Sequence, residues 1–128
     1  MTAAPESRER ADGSSEALAR RIAGIADAKQ GADLLALDVR GLVGYTDFLV
    51  ICTARNSRQA KAIQDEVRHQ LKADGRLPVR VEGEQEAEWI LLDYLDCVLH
   101  IFTPELRDRY RLEQLWGEAE HLELGLPG

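Results

Sequence analysis

Three runs of apolar residues constrain this fold most, because each is too apolar to expose either of its faces to water. Residues 47–53 read Asp-Phe-Leu-Val-Ile-Cys-Thr, residues 89–93 read Trp-Ile-Leu-Leu-Asp, and residues 96–102 read Asp-Cys-Val-Leu-His-Ile-Phe. Side chains alternate between the two faces of a β-strand, so a continuous apolar run needs cover on both sides. These runs predict strands of a sheet that has other structure packed against both of its faces.

Helical periodicity surrounds these strands. Apolar residues recur at helical spacing over residues 14–30, where Ser14-Ser15 offers two suitable N-caps. A second apolar stripe predicts a helix that Ser57 caps and that ends near Gly75. Thr103-Pro104 combines an N-cap with a proline at the first helical position, which predicts the start of a last helix.

The predicted elements follow the order α-β-β-α-β-β-β-α, with the two remaining strands at residues 34–39 and 78–82. Tight turns favour antiparallel neighbours, whereas the helix after the second strand allows a parallel crossover. The predicted fold class is therefore α/β of the mixed α+β kind, with a mixed sheet of about five strands packed by helices. Residues 1–13 are predicted to be a disordered N-terminal arm, residues 14–120 a single domain, and residues 121–128 a flexible tail.

The charge balance limits the partners that this chain can have. It carries 23 acidic against 16 basic residues, a formal net charge of −7. Binding a phosphate backbone requires clustered Lys and Arg, so we expect no direct nucleic-acid readout and a basic protein as the better partner. No apolar run approaches the ~20 residues of a membrane span, and no secretory signal is visible. We expect a cytoplasmic protein without membrane contact, in which Cys52 and Cys97 are buried, reduced thiols.

Few residues have the spacing of a catalytic or metal site. Asp93 and Asp96 flank a turn and could form a carboxylate pair, although acidic residues beside turns are common for local reasons. Cys97 and His100 are three apart on a strand, so they point to opposite faces and cannot pair. His100 is interpreted as a core or subunit-contact histidine, and we expect no cofactor and no metal.

Two groups of arginines have ordinary structural interpretations. Arg55-Asn56-Ser57-Arg58 precedes a helix N-terminus, where anions can bind, but no glycine-rich loop accompanies it and an ordinary cap is the preferred interpretation. Arg107, Arg109 and Arg111 alternate with acidic residues, which is typical of a solvated helix face.

Trp89 opens a strand directly after the acidic segment 84–88. It is either packed in the core or an exposed anchor of the kind that dominates protein interfaces. Strand alternation puts Trp89, Leu91 and Asp93 on one face of the sheet, and a partner could cover whatever part of that face the helices leave open. The predicted partner-binding residues are Trp89, Leu91, Asp93, Tyr94, Asp96, Glu82 and Glu84.

A series of short motifs, in a fixed order, covers about residues 17–117. They are Ala36-Leu37-Asp38-Val39-Arg40, Thr46-Asp47, Ser57-Arg58-Gln59, Val81-Glu82-Gly83-Glu84, Trp89-Ile90 with Asp93, Asp96 with Val98 and His100-Ile101-Phe102, Arg107, and Tyr110 with Leu112-Glu113 and Leu115-Trp116. Together they resemble the bacterial ribosomal silencing factors, also called the Iojap or RsfS family. That family usually has glycine just before the second aspartate of the turn, where this chain has Leu95, so a residue free to adopt positive φ is lost.

The resemblance implies a homodimer that binds the large ribosomal subunit through its fourteenth protein. It further implies that the bound protein sterically blocks joining of the small subunit and represses translation when nutrients are scarce. The residues themselves also favour a dimer, because the apolar strands carry more surface than three helices readily cover.

The implied fold has a nucleotidyltransferase-like core, so a phosphoryl-transfer enzyme is the alternative function. Such enzymes use a Gly-Ser turn before a strand that carries paired carboxylates, and Gly13-Ser14 lies before a helix instead. Fold analogy does not carry activity, so we expect no enzyme. A small RNA-binding module is a third possibility, which the acidic charge opposes.

Overall fold

The computed structural model describes residues 3–126, with side-chain environments from Ser15 onward. Helices and a single mixed sheet make up the domain, in agreement with the predicted fold class. The elements are α1 Ala3–Ala28, β1 Ala32–Asp38, β2 Phe48–Thr53, α2 Ser57–Ala73, β3 Arg80–Glu82, β4 Trp89–Asp93, β5 Cys97–Phe102, α3 Pro104–Tyr110, α4 Leu112–Leu115 and β6 Glu120–His121.

The sheet has six strands in the order β3-β4-β5-β2-β1-β6. Its central pair, β2 and β5, is parallel, with Phe48 opposite Cys97 and Thr53 opposite Phe102. Every other neighbouring pair is antiparallel. A parallel pair needs a long crossover rather than a tight turn, and the connection from β2 to β5 contains α2 together with β3 and β4.

Both faces of the two central strands are covered, as their apolar runs predict. All six residues of β2 and all six of β5 are buried. On one face, α1 and α2 pack against alternate residues such as Phe48, Val50 and Cys52. On the other face a second core forms around Leu49 and Ile51, with residues of α3 and α4 packed against its edge.

The first helix begins earlier than the serines at which its start was predicted. The structure extends α1 to Ala3, into the segment predicted as a disordered arm. Residues 3–12 are rich in Ala, Glu and Arg, which favour a helix without any apolar period. Ser15 is therefore no N-cap: it is buried, and its hydroxyl donates a 2.6 Å hydrogen bond to Asp47 Oδ2 at the start of β2. The part of the arm prediction that concerns Met1 and Thr2 lies outside the described residues.

The C-terminal segment adds the sixth strand. Residues of β6 pair antiparallel with β1, Leu37 opposite His121, and the Leu122 N–H donates to the Ala36 carbonyl at 2.8 Å. Leu122, Leu124 and Leu126 then pack against the core beside α1, in a segment predicted to be a flexible tail. The three leucines alternate with other residues, a pattern too short to predict a strand. Pro127 and Gly128 lie outside the described residues.

No helix within residues 3–126 combines the length and apolar character that crossing a membrane would require.

Candidate functional site

The sheet face opposite α1 and α2 carries most of the predicted partner-binding residues. Directly opposite residues in neighbouring strands share a face. The register places Glu82 opposite Leu91, and Leu91 opposite His100. It also places Trp89 opposite Phe102. The register also places Arg80 opposite Asp93. We call the surface formed by Arg80, Glu82, Trp89, Leu91 and Asp93 the Trp89 face. Trp89 and Leu91 pack on one core and Ile90 and Leu92 on the other, which confirms the predicted alternation of β4.

Trp89 is partly buried. This environment is intermediate between the core residue and the exposed anchor that its sequence position allowed. Its ring lies 4.8 Å from the ring of Phe102 and 4.7 Å from the ring of Tyr110 in α3, measured between centroids. The indole Nε1–H donates to Nδ1 of His100 at 3.0 Å. The indole is thus held on three sides in one orientation, while part of its surface remains accessible.

His100 orients this tryptophan by accepting the hydrogen bond of its indole N–H. It is 7% exposed, and burial, assisted by the nearby Arg80 guanidinium, lowers the pKa of its imidazole to about 4. At neutral pH the ring is uncharged, so Nδ1 has a lone pair free to accept the indole proton. Cys97 lies in the core on the other side of the sheet, which confirms that these two residues cannot pair.

The two aspartates at the β4–β5 turn have structural roles. Asp93 Oδ1 accepts a 2.8 Å hydrogen bond from the Leu95 N–H, and its Oδ2 lies 3.8 Å from Nη2 of Arg80. The Asp96 carbonyl accepts the N–H groups of residues 47 and 48, each at 3.2 Å. The contacts of the Asp93 carboxylate favour the local, turn-forming interpretation of that residue, and these Asp96 contacts are made by its backbone.

Three of the predicted partner-binding residues lie outside the Trp89 face: Tyr94, Glu84 and Asp96, the last of which lines an opening beside the β4–β5 turn. Tyr94 is only 4% exposed and packs into the core below α1 and α2, where burial raises the pKa of its phenol. Glu84 Oε2 lies 3.3 Å from Nη1 of Arg68 on α2. Tyr94 is one residue past the alternating strand, so it takes the helix side, and Gly83 at φ 79 turns Glu84 away.

Two tyrosines that were not among the predicted partner-binding residues belong to this region. The Tyr110 ring packs on that of Trp89 at an interplanar angle of 43°, and Tyr110 is 46% exposed, while Tyr45 is 56% exposed. Partial burial raises the pKa of Tyr45, the Asp93 carboxylate adds to the rise and the Arg80 guanidinium opposes it. Tyr45 lines an opening together with Leu95 and Asp96, beside the Asp93 end of the Trp89 face. Tyr45 stands in a Gly-Tyr-Thr turn, where an aromatic side chain has no partner within its own element, and that was the available signal.

Arg107 corrects the interpretation of the arginine cluster as a solvated helix face. Its side chain is 12% exposed, and Nη1 donates to Thr53 Oγ1 at 2.8 Å. Its Nε also donates to Glu113 Oε2 at 3.4 Å. Arg107 therefore fixes α3 and α4 to the end of β2, whereas Arg109 and Arg111 are exposed as expected.

The cap of α2 also differs from its prediction by one residue. Asn56, rather than Ser57, is the N-cap, and its Oδ1 accepts the Gln59 N–H at 2.9 Å. The segment thus forms an ordinary helix cap, as interpreted, with the amide in place of the hydroxyl as acceptor.

The described side chains show no arrangement suited to covalent or metal chemistry. Within residues 15–126 no group of three or more His, Cys, Asp or Glu side chains is placed to hold a metal ion. Cys52 and Cys97 are free and buried, and burial raises the pKa of the Cys52 thiol to about 12 and that of Cys97 still further. A nucleophilic cysteine needs a lowered pKa. Neither cysteine therefore has the character of a nucleophile.

This chain matches one family model and is similar to several known proteins. The family described as "Ribosomal silencing factor during starvation" matches residues 12–126. The chain is 38% identical over 98 residues to the ribosomal silencing factor RsfS of Bacillus subtilis, covering 77% of this chain and 83% of that protein. It is 30% identical over 87 residues to the mouse mitochondrial assembly of ribosomal large subunit protein 1, covering 66% of this chain and 38% of that one. A crystal structure of a Chromobacterium violaceum protein superposes with a TM-score of 0.74 at 30% identity, covering 89% of this chain and 92% of that chain.

Proposed function

This chain belongs to the ribosomal silencing factor family, and from that premise we propose that it represses translation by occupying the large ribosomal subunit. We propose that it binds the fourteenth protein of that subunit and sterically blocks joining of the small subunit when nutrients are scarce. The family description names starvation, and the mouse relative is named for the large subunit. We further propose that the protein is a cytoplasmic homodimer without catalytic activity.

The observation that carries this proposal is the Trp89 face. It combines an aromatic anchor, an aliphatic side chain at Leu91, and the carboxylates of Glu82 and Asp93 on either side of the Arg80 guanidinium. Aromatic anchors dominate binding energies, and surrounding charges mainly set association rate and specificity. The chain's net charge of −7 complements a basic ribosomal protein and opposes direct contact with phosphates.

The anchor is also pre-organised, which favours tight binding. His100, Phe102 and Tyr110 hold the indole in one orientation before any partner arrives. A side chain that is already ordered loses little rotamer freedom on association, a loss that otherwise amounts to ~0.5–1.5 kcal/mol. We therefore expect Trp89 to contribute more to affinity than the mobile charged residues beside it.

Steric occupancy is tested by following how separated ribosomal subunits join in the presence of the protein. We expect joining to fall as the protein exceeds its dissociation constant, and excess small subunit to relieve the block because the competition is mutual. Pre-formed ribosomes should resist the protein, since the proposed site is already covered. Light scattering or gradient sedimentation measures the fraction of joined subunits in all three experiments.

Two charge-reversal variants test whether the Trp89 face is responsible for inhibiting subunit joining. Glu82→Lys places a cation on the Trp89 face, whereas Glu118→Lys makes the same change at an exposed residue elsewhere. We expect the first variant to inhibit joining less than the second. Unchanged joining at saturating wild-type protein, or inhibition that needs a nucleotide substrate, would contradict the proposal and favour the phosphoryl-transfer alternative.

A further inference from the structure

Three cationic side chains surround one opening at the end of the helix layer. Lys29 follows α1, Arg55 follows β2, and Arg58 lies in the first turn of α2. All three are exposed, and they line an open pocket of about 340 Å³ that we call the Arg58 pocket. None of the described residues that line it is acidic. The pocket is therefore a local reversal of sign in a chain whose net charge is −7.

These three cations also lack the carboxylate partners that most other arginines have. Within residues 15–126, most of the other arginines form an ion pair with an aspartate or a glutamate. In the same range no carboxylate is paired with Lys29, Arg55 or Arg58. The Arg55 guanidinium is approached only by the neutral Oε1 of Gln30, at 3.5 Å. The Arg58 pocket thus has positive charge that no described group of this chain neutralises.

A buried amide fixes the two loops that form the pocket. Gln59 is 7% exposed, and its Nε2 donates to the carbonyls of Lys29 and Gln30 at 3.1 and 3.0 Å. Its Oε1 accepts the Arg55 N–H at 2.6 Å. The backbones of both loops are thus held together before any ligand arrives. Because Asn56 already accepts the Gln59 N–H, attraction for a ligand comes from the cationic side chains rather than from the helix terminus.

The ligand that suits this pocket is a phosphate group on an extended chain. Arginine binds phosphate through two parallel N–H···O bonds, and lysine binds it as a point charge. No aromatic ring is among the described lining residues, so the pocket offers a nucleobase no surface on which to stack. Exposed charges are screened beyond ~8 Å at physiological ionic strength, so the cations of the pocket outweigh the acidic surface farther away.

We propose that the Arg58 pocket binds a backbone phosphate of the ribosomal RNA in the large subunit. This inference rests on the proposed function, because a protein that occupies the large subunit lies beside RNA as well as beside ribosomal protein. The register places Trp89 opposite Phe102, and Phe102 opposite Thr53. Arg55 follows Thr53 by two residues, so the pocket lies at the same end of the sheet as Trp89. Phosphate contacts fix position and carry no sequence information, so no base is read there.

Neutral variants of the pocket test this contact. Arg55→Gln/Arg58→Gln removes two exposed charges and keeps the bonds of Gln59, so the urea midpoint should equal that of the wild type. In co-sedimentation, affinity for purified large subunits should fall roughly tenfold at ~0.15 M salt. The plot of log affinity against log salt should become shallower by about two, one for each lost phosphate contact. Affinity for the isolated fourteenth protein should not change.

A second double variant controls for the change in net charge. Lys72→Gln/Arg76→Gln removes two cations at and just beyond the C-terminal end of α2, and it should bind subunits like the wild type. If the pocket variant matches this control in subunit affinity and in salt dependence, the inference is overturned. An equal loss of affinity for the isolated fourteenth protein would overturn it as well, because the pocket would then contact protein rather than RNA.

Titration with inorganic phosphate and with a nucleoside triphosphate separates RNA from a free ligand. Each should perturb the NMR signals of the pocket only at millimolar concentration, and saturation by the triphosphate at micromolar concentration would assign the pocket to a free nucleotide and overturn the RNA contact. The proposed partner can fail separately. If the wild type does not bind the isolated fourteenth protein but the pocket variant still weakens subunit binding, that partner is wrong and the RNA contact stands.

Discussion

Truncation of Trp89 tests whether this residue is the anchor of the partner-binding face. Trp89→Ala removes ring contacts with Phe102 and Tyr110, and it leaves Nδ1 of the buried His100 without its donor. Truncating a fully buried aromatic residue costs ~3–5 kcal/mol of stability. Because Trp89 is only partly buried, we take the lower end and add about 1 kcal/mol for the unpaired imidazole.

The protein should survive this loss. A total of about 4 kcal/mol lies below the roughly 5–15 kcal/mol by which typical domains are stable, so we expect the variant to be folded at 25 °C. Affinity for large ribosomal subunits should nevertheless fall by about 2 kcal/mol or more, which is roughly thirtyfold. Trp89→Phe loses only the hydrogen bond and part of the ring, and we expect an intermediate affinity.

The assay measures stability and binding on the same preparations. Urea unfolding gives the first, and co-sedimentation with purified large subunits gives the second. Trp116→Ala is the matched control, because Trp116 is also a partly buried tryptophan packed on the second core but lies outside the Trp89 face. It should lose stability and keep its affinity. Full affinity in a folded Trp89→Ala protein would refute the placement of the anchor.

Three further predictions concern the fold and the assembly. Because burial lowers the pKa of His100 to about 4, below ~6.5 for an unfolded histidine, the unfolded state binds more protons between these values. The free energy of unfolding should therefore fall by up to roughly 3 kcal/mol as pH drops from 6.5 towards 4. In the His100→Gln variant, urea unfolding curves should show a weaker dependence of this free energy on pH. Ser15→Ala removes the 2.6 Å bond to the buried Asp47 and should lower the unfolding free energy by about 1–3 kcal/mol, whereas an unchanged urea midpoint would show that the bond between α1 and β2 contributes nothing. Light scattering at tens of micromolar should give the mass of a dimer, and a monomer mass there would contradict the proposed assembly.

The interior of the sheet and the alternation of β4 were predictable from the residues alone. A continuous apolar run such as Phe48–Thr53 can be stable only when both faces are covered, and the structure buries every residue of it. The same local rule separates Trp89 and Leu91 from Ile90 and Leu92, because the two-residue period of a strand needs no knowledge of what surrounds it. Element ends were less predictable, as the early start of α1 and the capping of α2 by Asn56 show.

What the residues could not indicate was which side chains meet from distant parts of the chain. Glu84 pairs with Arg68, Arg107 with Thr53, and the indole of Trp89 with an imidazole on the next strand. Composition and spacing determined that this is an acidic α/β protein with strands buried on both faces, and that Trp89, Leu91 and Asp93 share one face of the sheet. Only the tertiary structure decided that Tyr94 leaves that face and that Tyr45 joins it. The reason is that hydrophobic periodicity acts within one element, whereas the position of a turn residue depends on the packing of every element around it.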